Sequence, residues 1–200
     1  TEREVKPSGC RQFDIIRISE FRPQDSTVMS VIEWVKTPAK TGLRTGLFQM
    51  PCYGFDPNHP IGPEIQGLLH GKKIQMLVYG EKLSCDLLIL TPPHILEEHQ
   101  RFIPDVKAAD ICILANHHSS KEDKQEKTMG CMEYDIKQCI SHLQKYFGKT
   151  GTWYPTSLPA RESLRQQQQM GNLPEEQLAQ KNWAGIIRIN DRGQSARASS

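Results

Sequence analysis

Apolar residues fall in short unbroken runs, separated by polar stretches that carry a helical rather than a two-residue period. "FDIIRIS", "LRTGLFQM", "KIQMLVYG", "SCDLLILTPP", "ADICILAN" and "GTWYP" each read as a short strand. The runs Leu87–Leu90 and Ile111–Leu114 contain no polar residue, as expected of interior strands covered on both faces. Between them lie helical segments. Val28, Val31, Ile32 and Val35 recur at one helical face, with Ser26 or Thr27 as cap and Pro38 and Gly42 at the end. "PEIQGLLHG" places Pro at the entry and Gly at the exit of a short helix. "PHILEEHQRFIPD" reads as another, ended near Pro104. Ile136, Ile140, Leu143 and Phe147 share a face in "EYDIKQCISHLQKYFG", closed by Gly148. "PARESLRQQQQM" is helical, with Gln166–Gln169 as its solvated end, and "PEEQLAQKNWAGIIRI" reads as a helix and a short apolar strand.

Strands alternating with helices predict an α/β fold, a Rossmann-like, doubly wound and mainly parallel sheet in one domain. Residues 1–12 are expected to be a flexible N-terminus, 13–189 the domain, and 190–200 a disordered tail. Pro51–Pro63 and "SSKEDKQEKTMG" are long loops.

Net charge is +2, from 25 basic and 23 acidic side chains scattered along the chain, which argues against nucleic acid as the main partner. The six cysteines form no CxxC pair, and Cys85 and Cys112 lie in or beside apolar runs. They read as free thiols of a reducing, cytoplasmic compartment. No apolar run approaches the ~18 residues of a membrane span.

In open α/β sheets, ligands gather beyond the carboxyl ends of the strands. The segments that follow the strands are "SEFRPQDST", "PCYGFDPNHP", "TPPHI", "NHHSS" and "PTSLPAR". They bring together hydroxyl, amide and imidazole groups, suited to a hydroxyl-rich ligand such as a sugar or to a nucleotide's phosphates. Candidate substrate-binding residues are Ser19, Asp25, Ser26, Thr27, His94, Asn116, Ser119 and Arg161. Ser26 and Thr27 serve either as plain caps or at an anion-binding helix end. Arg161 either meets a phosphate or stands in solvent. His117 and His118 either stand in solvent or form the crevice rim, where an imidazole takes a proton near neutral pH. No HExxH or HxH accompanies them, so no metal is expected, and no cofactor. GxGxxG, P-loop and GxSxG motifs are absent.

The order of features at "TGLRTGLFQM", "GEKLSCDLLILTPPHILEEHQRFIPDVKAADICILANHHSS", "YDIKQCISHLQKYFGKTGTWYP" and "LPARESL" resembles one family. It is similar to the N-terminal Rossmann-like half of bacterial GT-B glycosyltransferases, in the group linked to cell-surface polysaccharide. The resemblance runs from about Phe13 to about Ile189. That family has a glycine-rich first turn, a strand ending in Asn-Gln-Pro-like residues, and a Trp-x-Pro-Ile-Gly-Pro-like stretch before an Arg-Glu pair. The matching positions are Ser19–Thr27, Asn116–Ser119, and Trp153–Pro159 followed by Arg161 and Glu162. Here the first turn has no glycine, "NHH" replaces the amide pair, and "PTSLPAR" replaces the glycine-containing stretch.

The resemblance implies the acceptor-side half of a nucleotide-sugar-dependent transferase, with His117 or His118 as catalytic base. Its partners would be a sugar acceptor and a sugar-nucleotide donor, the donor held mostly by a second Rossmann-like domain. Peripheral membrane association of the full protein goes with that group. A non-catalytic α/β binding or assembly module is the alternative reading.

Overall fold

A computed structural model describes residues 9–21, 36, 42–51, 60–69, 73–97, 99–115 and 134–184. The strands are β1 (Arg11–Ser19), β2 (Thr45–Gln49), β3 (Ile74–Met76), β4 (Lys82–Thr91), β5 (Asp105–Ala115) and β6 (Thr152–Pro155). The helices are α1 (Pro63–Leu68), α2 (His94–Glu97), α3 (Ile136–Phe147) and α4 (Leu158–Gln169), followed by a 3₁₀ turn at Glu175–Gln177. The strands form one six-stranded sheet in the order β3-β2-β1-β4-β5-β6, and every pairing is parallel. The expected Rossmann-like α/β architecture is therefore present.

The unbroken apolar runs are interior strands. β4 lies between β1 and β5, and β5 between β4 and β6. Leu88, Leu90, Ile111 and Ile113 face a large core with α2, α3 and α4, joined by Ile16, Ile18 and Trp153. Ile15, Leu87, Ile89, Cys112 and Leu114 form a second core on the opposite face, against Leu43, Tyr154 and Trp183. A third cluster joins Phe21, Leu47, Ile65 and Ile74, seating α1 beside β2 and β3.

Strict alternation along β4 would put Leu83, Cys85, Leu87 and Ile89 on one face. Instead Leu83 and Cys85 share the core of Leu88 and Leu90. The ladder passes from Phe13↔Cys85 to Ile15↔Leu87, and from Cys85↔Ala108 to Leu87↔Asp110. Asp14, Asp86 and Ala109 are the skipped residues, aligned across three strands. The N–H groups of Asp14 and Ile15 both donate to the Arg44 carbonyl, at 3.0 and 3.2 Å, as in a β-bulge. The bulge line lets Phe13, Leu83, Cys85, Val106 and Ala108 continue the large core while the polar Asp14 and Asp86 face outward.

On β5 the same irregularity turns two successive carbonyls toward one edge. Lys149 Nζ donates to both, to Ala108 O at 2.7 Å and Ala109 O at 3.1 Å. Since β6 joins β5 only at Cys112, this ammonium caps acceptors that the ladder leaves open.

α3 follows the sequence closely. Asp135 caps it by accepting from Gln138 N at 3.1 Å, and Gly148 ends it in the left-handed region at φ 67°. Ile136, Cys139 and Leu143 are buried. α3 docks on α2 through polar contacts as well: His142 Nδ1 donates to Leu96 O at 2.7 Å, and Gln138 Nε2 donates to Glu97 O at 2.8 Å.

Several boundaries differ from expectation. β1 begins at Arg11 rather than Phe13, because the pairing Arg11↔Leu83 extends it. β3 ends at Met76, since β2 offers partners only from Thr45 to Leu47. "PEEQLAQKNW" is not a helix. After the 3₁₀ turn the chain runs along β6, where Ala179 N donates to Trp153 O at 2.9 Å and Trp183 N to Pro155 O at 2.8 Å. Open carbonyls of an edge strand capture its N–H groups, and Leu178 forms a parallel bridge with Trp153. The expected helix at 28–35 and the expected final strand at 185–189 lie outside the described residues.

Gly151 turns the chain from α3 into β6 in a space that admits no side chain. A Cβ there would lie 2.3 Å from Ile113 Cδ1 and 3.2 Å from the Ile111 carbonyl oxygen. The isoleucine tip can rotate, but the strand backbone cannot. Gly151→Ala is therefore expected to lower unfolding stability by about 1–3 kcal/mol, the usual cost of overpacking. A shift of the urea midpoint to lower concentration, at unchanged slope, is the measurement; an unchanged midpoint would show the turn to be loosely packed.

Candidate functional site at the carboxyl edge

Strand order reverses direction at β1, which has β2 on one side and β4 on the other. In sheets of this kind the switch point opens a crevice at the carboxyl edge. Ser19 and Thr91, the last residues of β1 and β4, are register partners there. Both are buried, with 1% and 3% of their surface exposed. Beyond Thr91 the chain passes through a cis peptide to Pro92. It then turns at once into α2, with Ile95 N donating to Pro92 O and Leu96 N to Pro93 O. This brings His94 to the rim, half-buried and packed edge-on against Tyr134 at 5.2 Å between ring centres. Tyr134 in turn stacks on the buried Trp153.

Neutral side chains hold the strand exits together. Gln49, ending β2, accepts from Phe21 N at 2.7 Å and donates to the Glu20 carboxylate, while Met50 N donates to Ser19 O. Gln100 is buried and its amide nitrogen donates to Pro51 O and Ile95 O, both at 3.0 Å, tying the β2 exit to α2. Thr156 donates through both its N–H and its hydroxyl to Ala115 O, joining the β5 and β6 exits. A buried amide that makes all its bonds to backbone resists rotation, so this edge is a fixed frame.

Of the expected site residues, Ser19 ends β1 and His94 begins the helix that follows β4, so both lie at the β1–β4 switch. Arg161 lies apart, in the first turn of α4 beyond β6. Its Nε donates to Asn182 Oδ1 at 2.5 Å and its Nη1 to Ala179 O at 3.0 Å, so this guanidinium pins the edge segment. Burial, and then the neighbouring charge of Arg165, lower its pKa. Its Nη2 is buried and has no hydrogen-bond partner among the described residues. Asp25, Ser26, Thr27, Asn116, His117, His118 and Ser119 lie outside the described residues. Asn116 directly follows Ala115, the last residue of β5.

Sequence reasoning passed over Arg17. It occupies β1 between Leu47 of β2 and Ile89 of β4 and is only 2% exposed. Burial lowers its pKa to about 9, which still leaves it cationic at neutral pH. The visible signal was a lone arginine inside the apolar run "FDIIRIS". Among the described residues no group of three or more His, Cys, Asp or Glu side chains could hold a metal ion, and no helix is long and apolar enough to cross a membrane.

Thiol chemistry separates the cysteines. Burial pushes Cys85 up to about 12, and burial together with Glu97 and Asp135 pushes Cys139 in the same direction. Neither is a nucleophile, because the thiolate is the reactive form. In the folded chain iodoacetamide should alkylate the exposed Cys10 and spare Cys85, Cys112 and Cys139 until denaturant is added. Peptide mass spectrometry reads this directly, and rapid native labelling of Cys139 would contradict the burial described. Comparison of the chain with protein-family models, with curated proteins and with solved structures returns no match.

Proposed function

We propose that this domain is the acceptor-side half of a nucleotide-sugar-dependent glycosyltransferase acting on a hydroxyl acceptor in surface polysaccharide synthesis. The observation that carries the reading is the carboxyl edge itself. It is the switch point of an all-parallel sheet, where Ser19 and Thr91 end paired strands, Glu20 follows Ser19 and the half-buried imidazole of His94 stands just beyond Thr91. Imidazole and carboxylate groups at a strand-end switch are of the kind that hydrogen-bond a saccharide's hydroxyls. The first turn, "SEFRPQDST", has no glycine, so the backbone approach that a pyrophosphate requires is poor on this side. The donor's diphosphate then belongs to a second domain.

In the proposed reaction the acceptor oxygen attacks the anomeric carbon of the donor. Its proton passes to an imidazole, and the bond from that carbon to the diphosphate oxygen breaks. His117 or His118, in the segment after β5, supplies the base. A positioned base of this kind contributes about 10²–10⁴-fold. Ser19, Asp25, Ser26, Thr27, His94, Asn116 and Ser119 orient the acceptor.

In an enzyme that carries this domain beside a donor-binding half, His117→Ala and His118→Ala are to be compared singly for acceptor-dependent transfer. One of them should lose about 100-fold or more in kcat. The isolated 200-residue chain should turn over no sugar nucleotide. Wild-type rates in both variants would remove the base assignment, and turnover by the isolated chain above a heat-killed control would overturn the half-enzyme reading.

A further inference from the structure

Opposite the carboxyl edge, two turns project side by side from the amino edge of the sheet. Val78 and Tyr79 lie in the connection from β3 to β4, and Phe102 in the connection from α2 to β5. The strands they lead into begin as register partners, Lys82↔Asp105, so the two turns are neighbours. Tyr79 and Phe102 meet edge to face, 5.1 Å between ring centres. The domain leaves 59% of Val78, 59% of Tyr79 and 62% of Phe102 exposed. With side chains of this size the patch is roughly 300 Å², the scale at which an apolar patch on a small domain is often functional.

Both turns are held in shape by the domain itself. Gly80 sits at φ 93°, in the left-handed region, and Glu81 N donates to Val78 O at 3.5 Å across the turn. Arg11 clamps the end of that turn, pairing with Glu81 and donating to Gln75 Oε1 at 2.6 Å. In the other turn, Ile103 packs against the large core and Pro104 is buried. Charge beside the rings is of both signs. Arg101 precedes Phe102 in the chain, Asp105 follows Pro104, and both are exposed. Neither has an ion-pair partner among the described residues, although Asp105 is the register neighbour of Lys82.

From this we infer that the two turns form a self-complementary interface on which a second copy of this chain docks. In a two-fold contact the same patch meets itself, so that each residue and its opposite number exchange places across the axis. The Tyr79–Phe102 pairs of the two copies pack together at the centre, and Arg101 of each copy meets Asp105 of the other. A patch of a single charge sign would repel its own copy; this one carries both the base and the acid that a copy requires. The area agrees with such a pair. Two patches remove roughly 600 Å² of apolar surface, and at the usual apolar share of about 57% the whole interface is roughly 1,000 Å². That is the lower limit of a specific contact, so the dimer is weak and concentration-dependent. Because the strands are all parallel, a contact at the amino edge leaves both carboxyl edges open.

The test is analytical ultracentrifugation of the purified chain over a range of concentrations. No sugar nucleotide is present, so the outcome is independent of the transferase reading. The average mass should rise toward twice that of one chain as concentration increases. The double variant Tyr79→Ser/Phe102→Ser should raise the dissociation constant about tenfold or more, as truncation of central aromatic anchors does. Arg101→Glu and Asp105→Lys should each be monomeric, because each sets like charges against one another twice across the two-fold axis. An equimolar mixture of these two single variants should associate again, as one copy of each, since both contacts then join opposite charges. Circular dichroism of every variant should match the wild type. A wild-type chain still monomeric at about 1 mM, a charge variant that associates as well as wild type, or a mixture that stays monomeric would overturn the inference.

Discussion

Parallel pairing of β1 with β4 along almost their whole lengths, from Arg11↔Leu83 to Ser19↔Thr91, is the constraint on which the rest of the molecule depends. It places the two most apolar early segments side by side although most of the first half of the described fold separates them in sequence. Because β1 also pairs with β2, the chain must leave its two neighbours on opposite sides, and a switch point follows. Both faces of the pair are then covered by core side chains, Ile16, Ile18, Leu88 and Leu90 on one and Ile15, Leu87 and Ile89 on the other. Each such side chain contributes ~1.5–3 kcal/mol on burial. The pairing therefore fixes the carboxyl edge at the same time as it builds the core. Gln49, Gln100 and Thr156 add rigidity to an edge whose position is already set.

The aligned break at Asp14, Asp86 and Ala109 shows how three strands turn one row of residues outward without losing the core. A single bulge would shift one strand out of register with its neighbours, so the three must occur together. The result is that the amino-side residues Phe13, Leu83 and Val106 continue the large core although the two-residue period alone would exclude them. Lys149 satisfies the carbonyls that this arrangement turns outward on β5. The two ends of the sheet consequently differ: Gln49, Gln100 and Thr156 clasp one, while the exposed Tyr79 and Phe102 project at the other.

Much of the fold was legible because continuous apolar runs such as Leu87–Leu90 can only be satisfied by a strand covered on both faces, and the helical spacing of Ile136, Ile140 and Leu143 allows no other element. What escaped was set by partners distant in sequence. "PEEQLAQKNW" has the composition of a helix, yet its N–H groups are taken by the carbonyls of Trp153 and Pro155 at the sheet edge. The length of β3 depends on where β2 ends its pairing, which no local pattern encodes. Asp14 and Asp86 were visible as polar interruptions, but nothing in either segment says that they align. For the site, the positions of Ser19 at the end of β1 and of His94 just past the end of β4 were legible from the strand runs alone. Arg161 reads in the sequence as a cation at the helix start after the last strand; its guanidinium is engaged with Asn182 and Ala179, contacts that arise only when the later segment folds back.

If, as proposed, the β1–β4 switch binds a saccharide, the effect must be visible at the strand ends. The most direct test is amide chemical-shift mapping of the isotope-labelled chain during titration with a neutral oligosaccharide. The shifts should concentrate at Ser19–Glu20, at Thr91 and His94, and at the residue following Ala115, with the amino-edge residues Lys73, Lys82 and Phe102 unmoved. Shifts confined to the amino edge, or none at saturating saccharide, would contradict the account.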